Sequence, residues 1–175
     1  MTQDERIKQF DELMGDIVPP EVRASLIDRG FFLAPASTKF HGNYEGGLFD
    51  HSYRVAKFLK NLTRDNELVW QNPRSPLLVG MFHDLCKIDQ YKKSSGEFPY
   101  EYNPDTLIKG HGDKSVMLLS EYFTLTREEV LCIRYHMGAF TDKEEWRDYT
   151  RAVNNYATVL WTHHADMLAS HVLGV

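Results

Sequence analysis

Apolar residues recur at helical spacing along most of the chain, and the interruptions divide it into elements. Residues 3–14 and 20–29 read as two short amphipathic helices, separated by Pro19-Pro20 and closed by Gly30. From 31 to 46 (FFLAPASTKFHGNYEG) the periodicity lapses into a loop, with aromatics to pin it and Pro and Gly to shape it. A long helix is predicted from Gly47 to Arg64, with Leu48, Val55, Phe58 and Leu59 at helical spacing. Asn72-Pro73 breaks the chain. Ser75-Pro76 then opens a helix that runs through Leu77, Leu78, Met81, Phe82 and Leu85. Residues 90–102 alternate aromatic and polar side chains around Ser94-Ser95-Gly96, the pattern of a small β-hairpin. Helical periodicity returns at 112–123 and 127–137, and Thr126 with Glu129 forms a capping box before the second. A charged segment at 142–148 reads as a short exposed helix or turn, and a last helix covers 150–172. Met117, Leu118, Tyr122, Tyr156, Leu160 and Trp161 read as core. The predicted fold is all-α: a compact single-domain bundle of about seven helices with a hairpin insertion near 90–102. Residues 1–34 form a helical lead-in to a core at 35–175.

The 175 residues suffice for one domain with a real core. Twenty Lys and Arg against 25 Asp and Glu give a net charge of −5, which argues against a protein that tracks a long nucleic-acid backbone. Apolar runs such as 76–82 fall far short of the roughly 20 residues a membrane span needs. The polar N-terminus is unlike a secretory signal, and two cysteines cannot build a disulfide framework, so a cytoplasmic location is expected. Eight histidines are the surplus that changes the picture.

Placed on the predicted elements, His51 lies in the first turn of the long helix and His83-Asp84 on the next one. His111 opens a later helix, His136 sits near the end of its successor, and Asp166 lies in the last helix. The intervals from 51 to 83, 84 to 111, 111 to 136 and 136 to 166 each equal about one helix plus its connection. Successive helices can therefore bring these groups to one point in a bundle core. Imidazole and carboxylate together suit borderline divalent ions such as Mn, Fe, Co, Ni or Zn. His51, His83, Asp84 and Asp166 would hold one ion. His111, His136 and the second oxygen of Asp84 would hold another, with Mg a further choice there; alternatively, these two histidines contact substrate beside a single ion.

The motifs HGNYEGGLFDHS (41–52), FHDLCKI (82–88), GHGDKS (110–115), RYHMG (134–138) and HHADMLAS (163–170) follow one another in an order that resembles the HD superfamily of metal-dependent phosphohydrolases. The resemblance runs from about Pro35 to the C-terminus. It implies the same ligands, with His111 and His136 added in members that bind two ions, and it favours a phosphate-contacting role for Lys87. Lys114 and Ser115, three and four residues after His111, and Arg54, three after His51, are further candidates for substrate contact. His41 and Tyr44 precede the Gly46-Gly47 turn, where backbone can approach a pocket. His163 and His164 read as supporting or structural groups, His171 as exposed, and Cys86 as packing rather than a nucleophile.

The expected function is hydrolysis of a phosphomonoester or phosphodiester by metal-activated water, with Asp84 and Lys87 central and a small phosphorylated molecule, such as a nucleotide, as substrate. The hairpin aromatics Tyr91, Phe98, Tyr100 and Tyr102 would stack a base or form a homodimer contact. The ligand set is also similar to that of inositol oxygenase and related di-iron enzymes, so an oxygenase is the main alternative. A non-catalytic nucleotide-binding module is the weaker one.

Overall fold

A computed structural model describes residues 1–174. Eight α-helices and one antiparallel hairpin are present among the described residues. They are α1 (Gln3–Met14), α2 (Pro20–Asp28), α3 (Gly47–Asp65), α4 (Ser75–Phe82), β1 (Tyr91–Lys93), β2 (Tyr100–Tyr102), α5 (Gly112–Ser120), α6 (Arg127–Arg134), α7 (Trp146–Asn155) and α8 (Thr158–Met167). None of the described helices is long and apolar enough to cross a membrane.

Local chemistry fixes most helix starts. Reciprocal capping boxes open α1 (Thr2 with Glu5) and α6 (Thr126 with Glu129), and proline sits in the first turn of α2 and α4. The hairpin pairs Tyr91 with Tyr102 and Lys93 with Tyr100, as the alternation predicts.

Helix ends differ from the predicted ones, and the reasons are tertiary. The helix expected to run through Leu85 stops at Phe82. Asp84 leaves helical geometry, and the Cys86 N–H donates to Ser115 Oγ at 3.0 Å, so the chain continues as a 3₁₀ turn over Leu85–Ile88. The single helix expected at 150–172 is two. Asn154 and Asn155 are weak helix formers, Tyr156 is extended, and α8 restarts where Thr158 Oγ1 donates to the buried carboxylate of Glu128 at 2.6 Å. α7 then stays near the surface while α8 packs on α3 and α6. Met117, expected in the core, is exposed.

The core begins with phenylalanines. Phe10 of α1, Phe31 and Phe32 of the following loop, Phe49 of α3 and Phe82 of α4 meet in largely edge-to-face pairs with centroids 5.3–6.5 Å apart. Beside Phe49, Arg6 of α1 is buried and grips Asp50 through two hydrogen bonds of 2.9 and 3.2 Å and the Glu45 carbonyl at 3.0 Å. The lead-in thus clamps the first turn of α3, which carries His51.

α3 and α4 approach closely because Gly80 lies on Ala56. A Cβ built at Gly80 would stand 2.5 Å from Ala56 Cα. Gly80→Ala is expected to lower stability by about 1–3 kcal/mol through forced separation of the two helices, read as an earlier midpoint in urea unfolding. An unchanged midpoint would show that this contact does not set their spacing.

Candidate metal centre

Six side chains from five segments of the chain meet at one point centred on Asp84, which is almost wholly buried. His51 comes from the start of α3, and His83 and Asp84 follow the last turn of α4. His111 stands at the N-cap of α5, His136 lies two residues past α6, and Asp166 is on α8. The two oxygens of Asp84 face different groups. Oδ2 lies 3.5 Å from His83 Nε2, 3.6 Å from His51 Nε2 and 2.7 Å from Lys87 Nζ. Oδ1 lies 3.1 Å from His111 Nε2 and 3.5 Å from His136 Nε2. Asp166 Oδ1 closes the first group, 3.2 Å from His51 Nε2 and 4.0 Å from His83 Nε2.

Backbone carbonyls select the tautomers. His83 Nδ1–H donates to the Gly80 carbonyl at 2.9 Å, and His136 Nδ1–H donates to the Ile133 carbonyl at 2.7 Å. A carbonyl only accepts, so in the neutral ring each Nε2 carries a lone pair, and it is Nε2 that points at the centre. His83 Nε2 faces His51 Nε2 at 3.2 Å, and His136 Nε2 faces His111 Nε2 at 3.0 Å. Such separations match neighbouring donors around an ion bonded at roughly 2.0–2.1 Å.

The electrostatics ask for positive charge. Asp84 and Asp166 share the site with one ammonium, Lys87, which leaves a buried excess of negative charge. Burial alone would raise the Asp84 carboxyl, but Lys87 and the facing histidines hold it well below the usual carboxylate range. Asp166 is likewise held low, against burial, by His51 and the other rings. Burial pushes the His83 imidazole down to about 3, leaving it neutral and able to ligate. His136 is raised despite burial, because Asp84 beside it attracts a proton. Asp84 Oδ1 is buried and accepts no well-aligned hydrogen bond, although two rings stand close. An orphaned carboxylate oxygen among imidazoles fits a divalent cation, and three groups of side chains are close enough to hold one: His51, His83 and Asp84; His83, His136 and Asp166; and Asp84, Cys86 and His111.

Other predicted residues fall on both sides of the line. His41 lines the cavity with its ring 5.0 Å from that of His51, and burial followed by the charge of its neighbours pushes its pKa down to about 4. Lys87 also lines the cavity, although the 3₁₀ turn rather than an α-helix delivers it. Lys114 does not reach the site. It is buried and paired with Asp89, and the neighbouring Ser115 is occupied by the Cys86 backbone. Tyr44 turns its hydroxyl to Asp50 at 3.1 Å, and Arg54 is exposed outside the cavity lining. Cys86 touches His111 Nδ1 at 3.2 Å, but burial raises its thiol to about 12, too high for a nucleophile.

His163, read from sequence as a supporting group, lines the cavity and donates Nδ1–H to the His136 carbonyl at 2.9 Å. Its ring sits where a Cβ on Gly138 would be, 2.4 Å away, and Gly138 also has φ +54°. The HMG motif thus carried the signal, in a glycine whose partner lies far along the chain.

Metal at about 100 times its dissociation constant is expected to stabilise the protein by about 2.7 kcal/mol. Thermal unfolding with and without Mn²⁺ or Zn²⁺ checks this. His83→Ala should lose most of the shift, and an equal shift in that variant would place the ion elsewhere.

The model of the family described as HD domain matches residues 48–166, which include all six converging side chains. No curated protein and no solved structure matches the chain significantly. By its family match, and in keeping with the His/Asp centre, the chain belongs to the HD domain family, a superfamily of metal-dependent hydrolases.

Proposed function

We infer that the protein is a phosphohydrolase that cleaves an ester bond of a small phosphorylated molecule with one or two divalent transition-metal ions. The observation that carries this reading is the division of Asp84 between two histidine groups, with Lys87 against the same carboxylate and open to the cavity. His51, His83, Asp84 and Asp166 would hold one ion, and His111, His136 and Asp84 Oδ1 a second. When bound, such ions supply Lewis acidity toward a phosphoryl oxygen and make water a competent nucleophile at neutral pH.

The chain's own groups account for the rest. Asp84 keeps Lys87 charged, its pKa raised although burial opposes this. A fixed ammonium beside the centre is suited to neutralise charge that builds on the phosphoryl oxygens in the transition state. The Gly80 and Ile133 carbonyls hold two rings in the orientation that presents Nε2, so the donors need no rearrangement during turnover. With Cys86 held as a thiol, no covalent protein intermediate is invoked.

Two measurements test this reading. Chelation of the purified protein should abolish hydrolysis of a panel of phosphomonoesters and phosphodiesters, and Mn²⁺ or another transition metal should restore it. Lys87→Met should lower kcat by about 10²–10³-fold at unchanged metal content and helicity. Full activity in that variant would remove Lys87 from the mechanism. Iron-dependent O₂ consumption without hydrolysis of any ester would favour the oxygenase alternative.

A further inference from the structure

Asp84, His111, His136 and Asp166 of the His/Asp centre line a cavity of about 910 Å³, larger than a single phosphoryl group requires. The rest of its lining describes the body of the substrate, an inference that rests on the phosphohydrolase reading.

Apolar side chains enter this lining from four separate segments. Phe40 comes from the loop before α3, Tyr91 and Tyr102 from the hairpin, Met137 and Phe140 from the turn after α6, and Met167 from α8. Phe40, Tyr102 and Phe140 are 78%, 67% and 64% exposed, among the most exposed large apolar side chains of the described residues. Exposed rings scattered singly mean little, but three gathered on one cavity with a polar centre are a surface prepared for a flat or apolar partner.

Charge restricts the partner further. Two cations line the cavity, Lys87 and Arg134, against five carboxylates. Both cations are already engaged: Lys87 with Asp84, and Arg134 between Asp113 at 3.3 Å and Glu145 at 3.4 Å. Asp113, Asp142 and Glu145 stand outside the His/Asp centre and are at least partly exposed. A single phosphate at the centre meets Lys87 and whatever ions Asp84 and Asp166 hold. Additional phosphates would find no unpaired cation in the lining and would face carboxylates instead.

We propose that the cavity selects a single-phosphate ester of a planar or apolar body, such as a nucleoside, seated against Phe40, Tyr102 and Phe140, and disfavours nucleoside di- and triphosphates. The ring contacts confer preference for the body, and the excess of carboxylates over cations confers the limit on phosphate number.

Steady-state kinetics of the Mn²⁺-loaded protein on nucleoside monophosphates, a cyclic mononucleotide, the matching triphosphates and glycerol phosphate test both halves. The best single-phosphate nucleotide should exceed its triphosphate by about 30-fold or more in kcat/KM, as expected for like-charge repulsion at a site. It should also exceed glycerol phosphate by about 10-fold. Tyr102→Ala and Phe140→Ala, both at exposed positions, should raise KM for the nucleotide about 5–10-fold, the low end of base–aromatic stacking. These variants should leave kcat and the kinetics on glycerol phosphate unchanged. Asp142→Asn combined with Glu145→Gln should narrow the gap between mono- and triphosphate. Equal turnover of triphosphate, or of glycerol phosphate, would overturn the inference while leaving the phosphohydrolase reading in place. No hydrolysis of any ester in the panel by fully metal-loaded protein would overturn that reading, and this inference with it.

Discussion

A carboxylate buried among imidazoles is the constraint around which the molecule is organised. Asp84 is taken out of water at a point where α3, α8, the ends of α4 and α6 and the N-cap of α5 deliver nitrogen and oxygen donors. Burying a charge is costly unless it is paired, and one lysine cannot match both Asp84 and Asp166. The site is therefore tense as protein alone and complete with a cation. Ring nitrogens facing one another across 3.0–3.2 Å, with a carboxylate between them, are an arrangement suited to a transition-metal ion.

The scaffold reads as the means of holding those donors still. Gly80 serves twice: its missing side chain lets α4 lie against α3, and its carbonyl fixes the His83 ring. Arg6 and the phenylalanine cluster brace the turn that carries His51 from the opposite side. On α8, His163 fills the space that Gly138 leaves and is hydrogen-bonded to the backbone of His136, so the segments that carry His136 and Asp166 steady each other. Rigid support of this kind holds the centre in place independently of the exposed rings of the outer cavity.

Much of this was legible in the sequence because it is local. The converging histidines and aspartates sit in short motifs, and the helix-plus-connection spacing between them survives any error in helix ends. The hairpin and the Thr126–Glu129 capping box are equally local, and both appear where the pattern placed them. What escaped was set by distant partners. Ser115 Oγ takes the Cys86 N–H and ends α4 early, and Glu128 fixes the restart of the last helix at Thr158. Lys114 stands in helical register with His111, yet Asp89 captures its amine, while Asp50 captures the Tyr44 hydroxyl. A helical wheel gives direction but not competition. The role of His163 was hidden for the same reason, since only packing brings it to Gly138.

The central claim is that Asp84 is the shared ligand, and locating the ion tests it most directly. Anomalous diffraction at the manganese edge on crystals of the Mn²⁺-loaded protein should give a peak bonded to Asp84 together with His51, His83 and Asp166. A second peak, where present, should lie on the His111 and His136 side of the same carboxylate. An ion bound without Asp84, or peaks confined to surface carboxylates, would contradict the account.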